Sequence, residues 1–252
     1  MTPVRREGYK FCQDLRVPCY QTNRQTLLKP AAFMDMAQEI AYWAASELGF
    51  GYDTLHVHHT AWVLSRMHLH FDSFPKWRED TCLYTWHKGA DGLFYLRDFD
   101  LRNEAGESVI QGTSSWVVID EQTRRFVRPE DLQNLLSVEE VDHAIAAPAP
   151  KVQMPRGDSG SMPGMTKAGE HMVAYSDLDV IGHTNNVRYV VWAMDCLPLQ
   201  DAEKPVKDLY INFNKETTHG QTVELFRLKD GNAWYVEGRV EGKPCFVVKL
   251  EY

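Results

Sequence analysis

Residues 171–197 read HMVAYSDLDVIGHTNNVRYVVWAMDCL and contain a short apolar run, a polar loop and a helical pattern in direct succession. The run HMVAYS predicts a strand, and DLDVIGHTNN predicts a loop because it is rich in Asp, Asn and Gly. Four apolar residues after the loop share one face of a helix: Val187, Val190, Val191 and Met194. The segment therefore predicts a strand, a loop and a helix in that order.

Four strand-like runs follow this helix. DLYINFNKE, TVELFRL, AWYVEGRV and CFVVKLEY are rich in β-branched and aromatic residues. The sequence KDGN, from Lys229 to Asn232, separates two of these runs and predicts a hairpin turn. The second half of the chain is thus predicted to form a strand, a helix and four further strands.

The first half repeats this plan. An extended stretch from Phe11 to Tyr20 precedes the polar loop QTNRQTLLKP, and a helical pattern then runs from about Ala31 to Leu48. Four strand-like runs come next: AWVLSRMHLHF, DTCLYTWHK, LFYLRDFDLR and SVIQGTSSWVVID. The sequence predicts two tandem α+β units, each a long helix wrapped by a bent antiparallel sheet, which is the hot-dog arrangement.

A linker is predicted between the two copies. Residues 137–167 are rich in Glu, Ala, Pro, Gly and Ser, and their prolines favour an extended chain. We therefore expect an N-terminal unit at residues 1–136, a linker at residues 137–167 and a C-terminal unit at residues 168–252.

The composition argues against several classes of protein. A formal net charge of −8 disfavours general nucleic-acid binding, which needs a broad basic surface. No run approaches the roughly 20 apolar residues of a membrane helix, and the N-terminus lacks the apolar core of a signal peptide. A cytoplasmic protein without membrane attachment is expected. The five cysteines contain no C-x-x-C pair, which predicts reduced thiols and no zinc site.

The loop DLDVIGHTNN holds the densest group of reactive side chains, at the predicted N-terminus of the second long helix. Unpaired N–H groups at a helix N-terminus can stabilise an oxyanion, and Thr184, Asn185 or Asn186 can cap the helix. Gly182 would let the backbone approach a bound carbonyl closely. Hydrolysis of a thioester suits such a loop, because it needs a base for water and donors for the carbonyl oxygen but no metal or cofactor.

The segment SDLDVIGHTNNVRY resembles the Asp-x-Asn-x-His-x-Asn-Asn-x-x-Tyr segment of the bacterial and plant acyl-acyl-carrier-protein thioesterases. The similarity extends to TAWVLSRMHLHFDSFPKW, TSSWVVIDEQTRR and NFNKETTHG and covers nearly the whole chain. Trp62, Trp77, Trp86 and Trp116 stand in the family's order. The resemblance implies a double hot-dog enzyme that hydrolyses fatty acyl thioesters on acyl carrier protein (ACP) and releases free fatty acid.

The resemblance places Asp179, His183 and Glu216 in the catalytic group. The two carboxylates are candidate bases, and His183 is a group that could polarise the carbonyl or hold the attacking water. Further substrate contacts are expected from four residues of the same loop: Ile181, Gly182, Asn185 and Asn186.

Two positions depart from the family pattern. Ile181 stands where the family has Asn, two residues after the aspartate. Thr217 replaces the cysteine of many relatives, so a Cys-His nucleophile is unavailable at this position. Cys196 lies about 220° around the helix from His183, at roughly 100° per residue, and is no substitute. The pattern D-x-x-G-H-x-N-N also resembles single hot-dog coenzyme A thioesterases. An acyl-CoA thioesterase and a non-catalytic acyl-binding protein are therefore the alternatives.

The first half has no counterpart of this group. The segment TNRQTLLKPAAF contains no histidine or acidic residue before its helix, which predicts a non-catalytic first unit. Its alanine-lined helix and aromatic strands favour a role in enclosing the acyl chain. The expected contacts are Ala37, Ala41, Ala44 and Trp62.

A local basic patch is expected to bind the carrier, because ACP is acidic and this chain is acidic overall. Arg124, Arg125 and Arg128 in QTRRFVRPE are the candidates. The sequence leaves the oligomeric state open, with a homodimer as one option.

Overall fold

Residues 3–127, 141–155 and 164–252 are described by the structure, a computed structural model. The chain divides into two compact units, Met1–Ala149 and Pro150–Tyr252. This division falls inside residues 137–167, the predicted linker. Each unit combines helices with antiparallel strands, which is the predicted α+β class.

The described part of the first unit contains two helices, α1 (Pro30–Glu47) and α2 (Tyr52–Val57), and a short 3₁₀ helix at Cys19–Gln21. Its strands are β1 (Arg5–Glu7), β2 (Lys10–Arg16), β3 (Thr60–Phe71), β4 (Asp80–Asp91), β5 (Phe94–Asn103), β6 (Ser108–Asp120) and β7 (Phe126–Val127). They pair antiparallel in the order β1-β2-β4-β5-β6-β3, and β7 pairs with β6. The strands β1 and β7 and the helix α2 are short elements that the sequence pattern did not predict.

The helix α1 begins and ends one residue before its predicted bounds. Pro30 occupies its first turn, where the missing N–H costs no hydrogen bond. Gly49 follows its C-cap with φ of 82°, the left-handed conformation that ends many helices. The helix lies against β2 and β4. Its buried face includes Phe33, Ala37, Ile40, Ala41 and Ala44.

Residues 141–145, which we call the strap, contact the first sheet through a buried ion pair. Lys88 and Asp98 lie 3.0 Å apart with their side chains almost fully buried. Lys88 also donates to the Ile145 carbonyl, and Asp98 Oδ2 accepts from the Ala144 amide at 2.8 Å. Part of the predicted linker is therefore bound to the first unit.

The described part of the second unit contains α3 (Asn186–Asp195), α4 (Leu199–Ala202) and a 3₁₀ helix at Tyr175–Asp177. Its strands are β8 (Thr166–Met172), β9 (Asp208–Phe213), β10 (Thr222–Asp230), β11 (Ala233–Val240) and β12 (Lys243–Glu251). Their order within the unit is β9-β12-β11-β10-β8. The turn between β10 and β11 confirms the predicted hairpin. The helix α3 packs against β11 and β12.

The position predicted for the first strand of this unit, HMVAYS, is wrong. The strand β8 begins at Thr166, inside the predicted linker, and ends at Met172. Almost all of its side chains are exposed, so no apolar alternation marks it in the sequence. Backbone pairing with β10 holds it at the sheet edge, and Lys167 forms an ion pair with Glu224 at 2.8 Å.

No helix in the described ranges combines the length and the hydropathy needed to cross a lipid bilayer.

Candidate functional site

The loop at residues 177–185, which we call the site loop, leads directly into α3. Leu178 and Thr184 pair at its base, and the Asp179 amide donates to the His183 carbonyl at 2.8 Å. Asp179 Oδ1 accepts from the amides of Ile181 and His183, each at 3.0 Å. One carboxylate oxygen of Asp179 therefore holds the loop together. Its other oxygen, Oδ2, accepts no hydrogen bond from the residues that the structure describes.

The tip of the site loop is open to solvent. Gly182 has φ of 82°, and its amide donates to the Asp179 carbonyl at 3.1 Å. A side chain at this position would meet no atom within 4 Å, so the left-handed backbone is what requires glycine. Val180 is 96 % exposed and Ile181 is 49 % exposed. Two apolar side chains thus border the predicted catalytic residues at the surface.

The segment that follows β9 lies beside the site loop. His183 pairs with Thr218, and the Thr184 amide donates to the Thr217 carbonyl at 2.8 Å. Glu216 precedes these residues directly. The backbone pairing therefore brings Asp179, His183 and Glu216 onto two adjoining segments, and their catalytic roles stay predictions.

Thr217 is a buried structural residue. Its hydroxyl lies 2.7 Å from Thr184 Oγ1 and 3.0 Å from the Tyr189 hydroxyl, and its amide donates to that same Tyr189 oxygen at 3.1 Å. Burial raises the pKa of Tyr189 to about 12, so this phenol stays protonated at neutral pH. The three residues join the segment after β9 to α3 behind the predicted catalytic group.

Asp177 anchors the other end of the site loop. Its side chain is 1 % exposed, and Oδ2 accepts from the Ala174 amide at 2.9 Å and lies 2.7 Å from His171 Nε2. Arg188 Nε donates to Oδ1 at 2.9 Å. The Asp177 carbonyl accepts from the Asn185 amide at 2.8 Å. Burial alone would raise the pKa of Asp177, but the hydrogen bonds from His171, Ala174 and Arg188 outweigh it and lower the pKa.

The start of α3 differs in part from the expected oxyanion site. Asn185 is the N-cap, and its side chain accepts from the Val187 amide at 2.9 Å. The Arg188 amide donates to the Asn185 carbonyl at 2.9 Å. Two N–H groups of the first turn are therefore already hydrogen-bonded. The capping alternative for Asn185 is confirmed, whereas substrate contacts of Asn185 and Asn186 stay predictions.

The first unit contains the same turn. The Asn23 amide donates to the Leu27 carbonyl at 2.8 Å, and Asn23 Oδ1 accepts from the amides of Gln25 and Leu27, each at 3.0 Å. Thr26, with φ of 66°, corresponds to Gly182, and the turn leads into α1 as the site loop leads into α3. Asn23 thus makes the hydrogen bonds that Asp179 makes in the second unit.

The chemistry differs while the turn is kept. Leu27 stands where the second unit has His183, and it pairs with Lys76 as His183 pairs with Thr218. Counted back from these partners, Phe74 corresponds to Glu216. The first unit therefore retains the loop geometry but has neither the histidine nor either of the two carboxylates. That the first unit is not catalytic stays a prediction.

Residues 8–134 match the acyl-ACP thioesterase N-terminal domain, and residues 163–239 match the acyl-ACP thioesterase C-terminal domain. This chain belongs to the acyl-ACP thioesterase family. The resemblance predicted from its motifs is confirmed.

This acyl-ACP thioesterase family member is similar to several curated plant proteins. The chain is 24 % identical over 235 residues to oleoyl-acyl carrier protein thioesterase 2, chloroplastic, of Arabidopsis thaliana, covering 86 % of this chain and 62 % of that protein. It is 24 % identical over 267 residues to a palmitoyl-acyl carrier protein thioesterase, chloroplastic, of Cuphea hookeriana, covering 94 % and 63 %. The chain thus spans a little under two thirds of the length of these relatives.

Solved structures support the double hot-dog fold of the acyl-ACP thioesterases. An acyl-ACP thioesterase from Bacteroides thetaiotaomicron superposes with a TM-score of 0.84 at 21 % identity, covering 96 % of this chain and 97 % of that one. A 12:0-ACP thioesterase from Umbellularia californica superposes with a TM-score of 0.84 at 21 % identity, covering 97 % of both chains. The predicted fold is confirmed.

The predicted acyl-chain residues of this acyl-ACP thioesterase family member lie in the core of the first unit. Ala37, Ala41 and Ala44 are buried on α1. Trp62 is half-buried, and its indole N–H donates to the Phe50 carbonyl at 3.0 Å. Its ring meets Tyr95 edge to face, with centroids 5.2 Å apart. Packing explains Trp62 fully, and a role for these four residues in binding substrate stays a prediction.

Two arginines of the predicted basic patch lie at the surface of the first unit. Arg124 and Arg125 are exposed in the turn between β6 and β7, whereas Arg128 lies outside the described residues.

Cys196 is buried at the C-cap of α3, and burial raises its thiol pKa to about 11, which disfavours a thiolate nucleophile. Within residues 3–127, 141–155 and 164–252, no group of three His, Cys, Asp or Glu side chains could hold a metal ion.

Proposed function

We propose that the protein hydrolyses fatty acyl thioesters carried on ACP and releases free fatty acid. Membership of the acyl-ACP thioesterase family supports this activity. The observation that carries it is the pairing of His183 with Thr218. This pairing sets Glu216 beside the site loop in the second unit, whereas the equivalent turn of the first unit has Leu27 and Phe74.

The proposed reaction is a direct attack of water on the thioester carbonyl. A carboxylate takes the proton of the water as the new C–O bond forms, and His183 donates to the carbonyl oxygen or orients the water. The C–S bond then breaks, and the protonated carboxyl group returns its proton to the departing thiolate of the carrier. Asp179 has one oxygen engaged by two amides and the second free of hydrogen bonds to described residues, so Oδ2 is the atom that could contact water. Glu216 is the second candidate base, from the segment that pairs with the loop.

An acyl-CoA thioesterase is the second candidate function, and Ile181 favours it. Single hot-dog coenzyme A enzymes usually have an apolar residue at this position, and Ile181 is exposed at the loop tip beside Val180. Assaying the same acyl group on ACP and on coenzyme A separates the two proposals. A higher kcat/KM on coenzyme A would show that coenzyme A, and not ACP, is the preferred carrier.

Two matched variants test which carboxylate is the base. Asp179→Asn should keep the site loop intact, because Asn23 makes the same pair of hydrogen bonds in the first unit. A loss of activity in this variant would therefore report on the charge of Asp179 and not on the loop geometry. Glu216→Gln removes the other base without shortening the side chain.

We expect kcat on acyl-ACP to fall by about 10² or more in each variant, with Asp179→Asn at least as impaired. Loss of the true base should also remove or move the acidic limb of the kcat profile against pH. Asp179→Ala is the control for geometry, since it removes both the charge and the acceptor. Near-normal turnover of Asp179→Asn would remove Asp179 from the mechanism.

Three further proposals concern the surroundings of the enzyme. We propose that the basic patch of Arg124, Arg125 and Arg128 attracts the acidic carrier, supported by the exposure of Arg124 and Arg125. We also propose a cytoplasmic location and a homodimer, both of which rest on the sequence interpretation alone. Size-exclusion chromatography with light scattering would test the oligomeric state.

A further inference from the structure

Arg97 is a buried cation in the first unit, and no residue that the structure describes serves as its counter-ion. Its side chain lies on β5 and is 7 % exposed. Among the described residues it forms no ion pair and donates one side-chain hydrogen bond, from Nη1 to Thr85 Oγ1 at 3.2 Å. Burial lowers the pKa of Arg97 to about 10, so the guanidinium remains charged at neutral pH. An unpaired buried charge is costly, and proteins normally pair it.

The position of Arg97 places it on the α1 side of the sheet. Arg97 is the cross-strand partner of His87 on β4 and of Ser114 on β6. It alternates along β5 with Tyr95 and Phe99, so the three side chains lie on one face. Tyr95 belongs to the apolar cluster at the end of α1. The cross-strand row of His87, Arg97 and Ser114 therefore lies on the inner face of the unit, and Tyr95 and Phe99 flank Arg97 along β5.

His87 adds a second polar atom without a partner. Its side chain is 8 % exposed, and Nε2 has no hydrogen bond to any residue that the structure describes. Burial and the neighbouring Arg97 charge lower the pKa of His87 to about 3, so its imidazole is neutral. Two adjacent side chains, each more than nine-tenths buried, thus have unused hydrogen-bonding capacity at one place.

The fold itself does not require an arginine here. Counted from the hairpin, Arg97 is three residues after Phe94 on β5, and Val236 is three residues after Ala233 on β11. Val236 is fully buried in the second unit. The equivalent strand position is therefore compatible with an ordinary apolar side chain, and the charge at Arg97 calls for a ligand.

We propose that Arg97, next to His87, is the binding site for a carboxylate at the end of an aliphatic chain. A carboxylate neutralises the guanidinium and matches its planar set of N–H donors. The flanking Phe99 and Tyr95 and the alanines of α1 suit the methylene chain. Two sources share this chemistry: a free fatty acid that enters with its carboxylate first, and an acyl thioester whose far end bears a carboxylate. Only the second source rests on the proposed hydrolysis.

The first experiment measures binding of dodecanoate and of 1-dodecanol to the full chain by fluorescence displacement. Arg97→Met removes the charge at similar length, and Arg102→Met is the matched control. Arg102 lies on the same strand but forms an ion pair with Asp100 at 2.7 Å. For the free-acid source, the Kd of dodecanoate should rise about tenfold or more in Arg97→Met. Arg102→Met should match the unmodified protein, and the Kd of dodecanol should stay unchanged in all three.

The second experiment compares kcat/KM for dodecanoyl-ACP and for the ACP thioester of dodecanedioic acid. For the acyl-tail source, Arg97→Met should lower the ratio of diacid to monoacid about tenfold while hydrolysis of dodecanoyl-ACP persists. If Arg97→Met does not fold, Arg97→Gln should weaken the same carboxylate-dependent preference severalfold. The proposal is overturned if neither measurement depends on Arg97, or if dodecanol binding falls as much as dodecanoate binding. Absence of all hydrolysis would refute the proposed function and leave the dodecanoate measurement valid.

Discussion

Replacing Asp177 by Asn should destabilise the second unit by about 2–4 kcal/mol. The carboxylate is buried and receives three hydrogen bonds, from His171, the Ala174 amide and Arg188. Asn keeps the side-chain volume of Asp but has one acceptor oxygen, so its NH₂ group would face one of the three donors. A hydrogen bond to a charged group contributes about 1.5–3 kcal/mol. The bond from Arg188 is lost and the other two become bonds to a neutral acceptor, but partial exposure of His171 and Arg188 lets water compensate in part.

The effect should depend on pH in a defined direction. The pKa of Asp177 is lowered in the folded protein, so the ionised form stabilises the fold above the unfolded pKa of about 3.9. This contribution is lost as the pH falls through the folded pKa. The difference in stability between the unmodified protein and Asp177→Asn should therefore be constant near neutral pH and shrink below about pH 4.

Urea unfolding combined with hydrogen exchange measures this locally. The Asn185 amide donates to the Asp177 carbonyl, so its protection reports directly on the anchor. Asp195→Asn is the control, because Asp195 is exposed at the end of α3 and its replacement should change stability by no more than about 0.5 kcal/mol. A change below about 1 kcal/mol for Asp177→Asn, with unaltered exchange at Asn185, would refute the anchoring role.

Three further outcomes are expected. Ala41→Leu should shift preference towards shorter acyl chains by filling volume in the first unit, and an unchanged profile of chain lengths in the folded variant would contradict the acyl-chain assignment. Reversing the charges of Arg124, Arg125 and Arg128 should raise KM for acyl-ACP with little effect on kcat; if added salt leaves the KM of the unmodified enzyme untouched, the patch is not used. Lys88→Met leaves Asp98 buried without its cation and should cost about 3–5 kcal/mol in urea unfolding, whereas an unchanged midpoint would mean that the strap region compensates.

The sequence was sufficient for the long helices and the strongly apolar strands. The bounds of α1 and β6 follow from apolar periodicity, which is clear where one face is buried. The strand β8 shows where this signal fails, because its side chains are exposed and only backbone pairing with β10 defines it. Apolar periodicity arises where one face of an element is buried, so it does not reveal an exposed edge strand.

The sequence motif proposes the members of the candidate site, but it does not show which contacts each member makes. The motif predicts Asp179, His183 and Glu216 as catalytic, whereas the hydrogen bonds of Asp179 Oδ1 with two loop amides, like those of Asn23 in the first unit, are seen only in the structure. Thr217 was identified by the absence of a cysteine, and its buried contacts with Thr184 and Tyr189 depend on tertiary packing.

Arg97 gave no signal at all in the sequence, because LFYLRDFDLR has the appearance of an ordinary amphipathic strand. An arginine there is expected to point to solvent. Both faces of β5 are buried. One face lies towards α1, and the other carries Asp98, which contacts the strap. A charged residue on the buried face becomes noticeable only when the covering elements on each side are known.

The charged edge strand β8 also bears on how the protein behaves at high concentration. An unpaired strand edge is a template on which another chain can add, and this is a common route to aggregation. Lys167, Glu170 and Glu224 form a group of ion pairs at this edge, and an incoming strand would have to strip them of water. Replacing Lys167 and Glu170 by Val would remove that penalty and give the exposed strand strong β-propensity. The ion pairs of Lys167 should therefore oppose the addition of a second chain at this edge of the second unit.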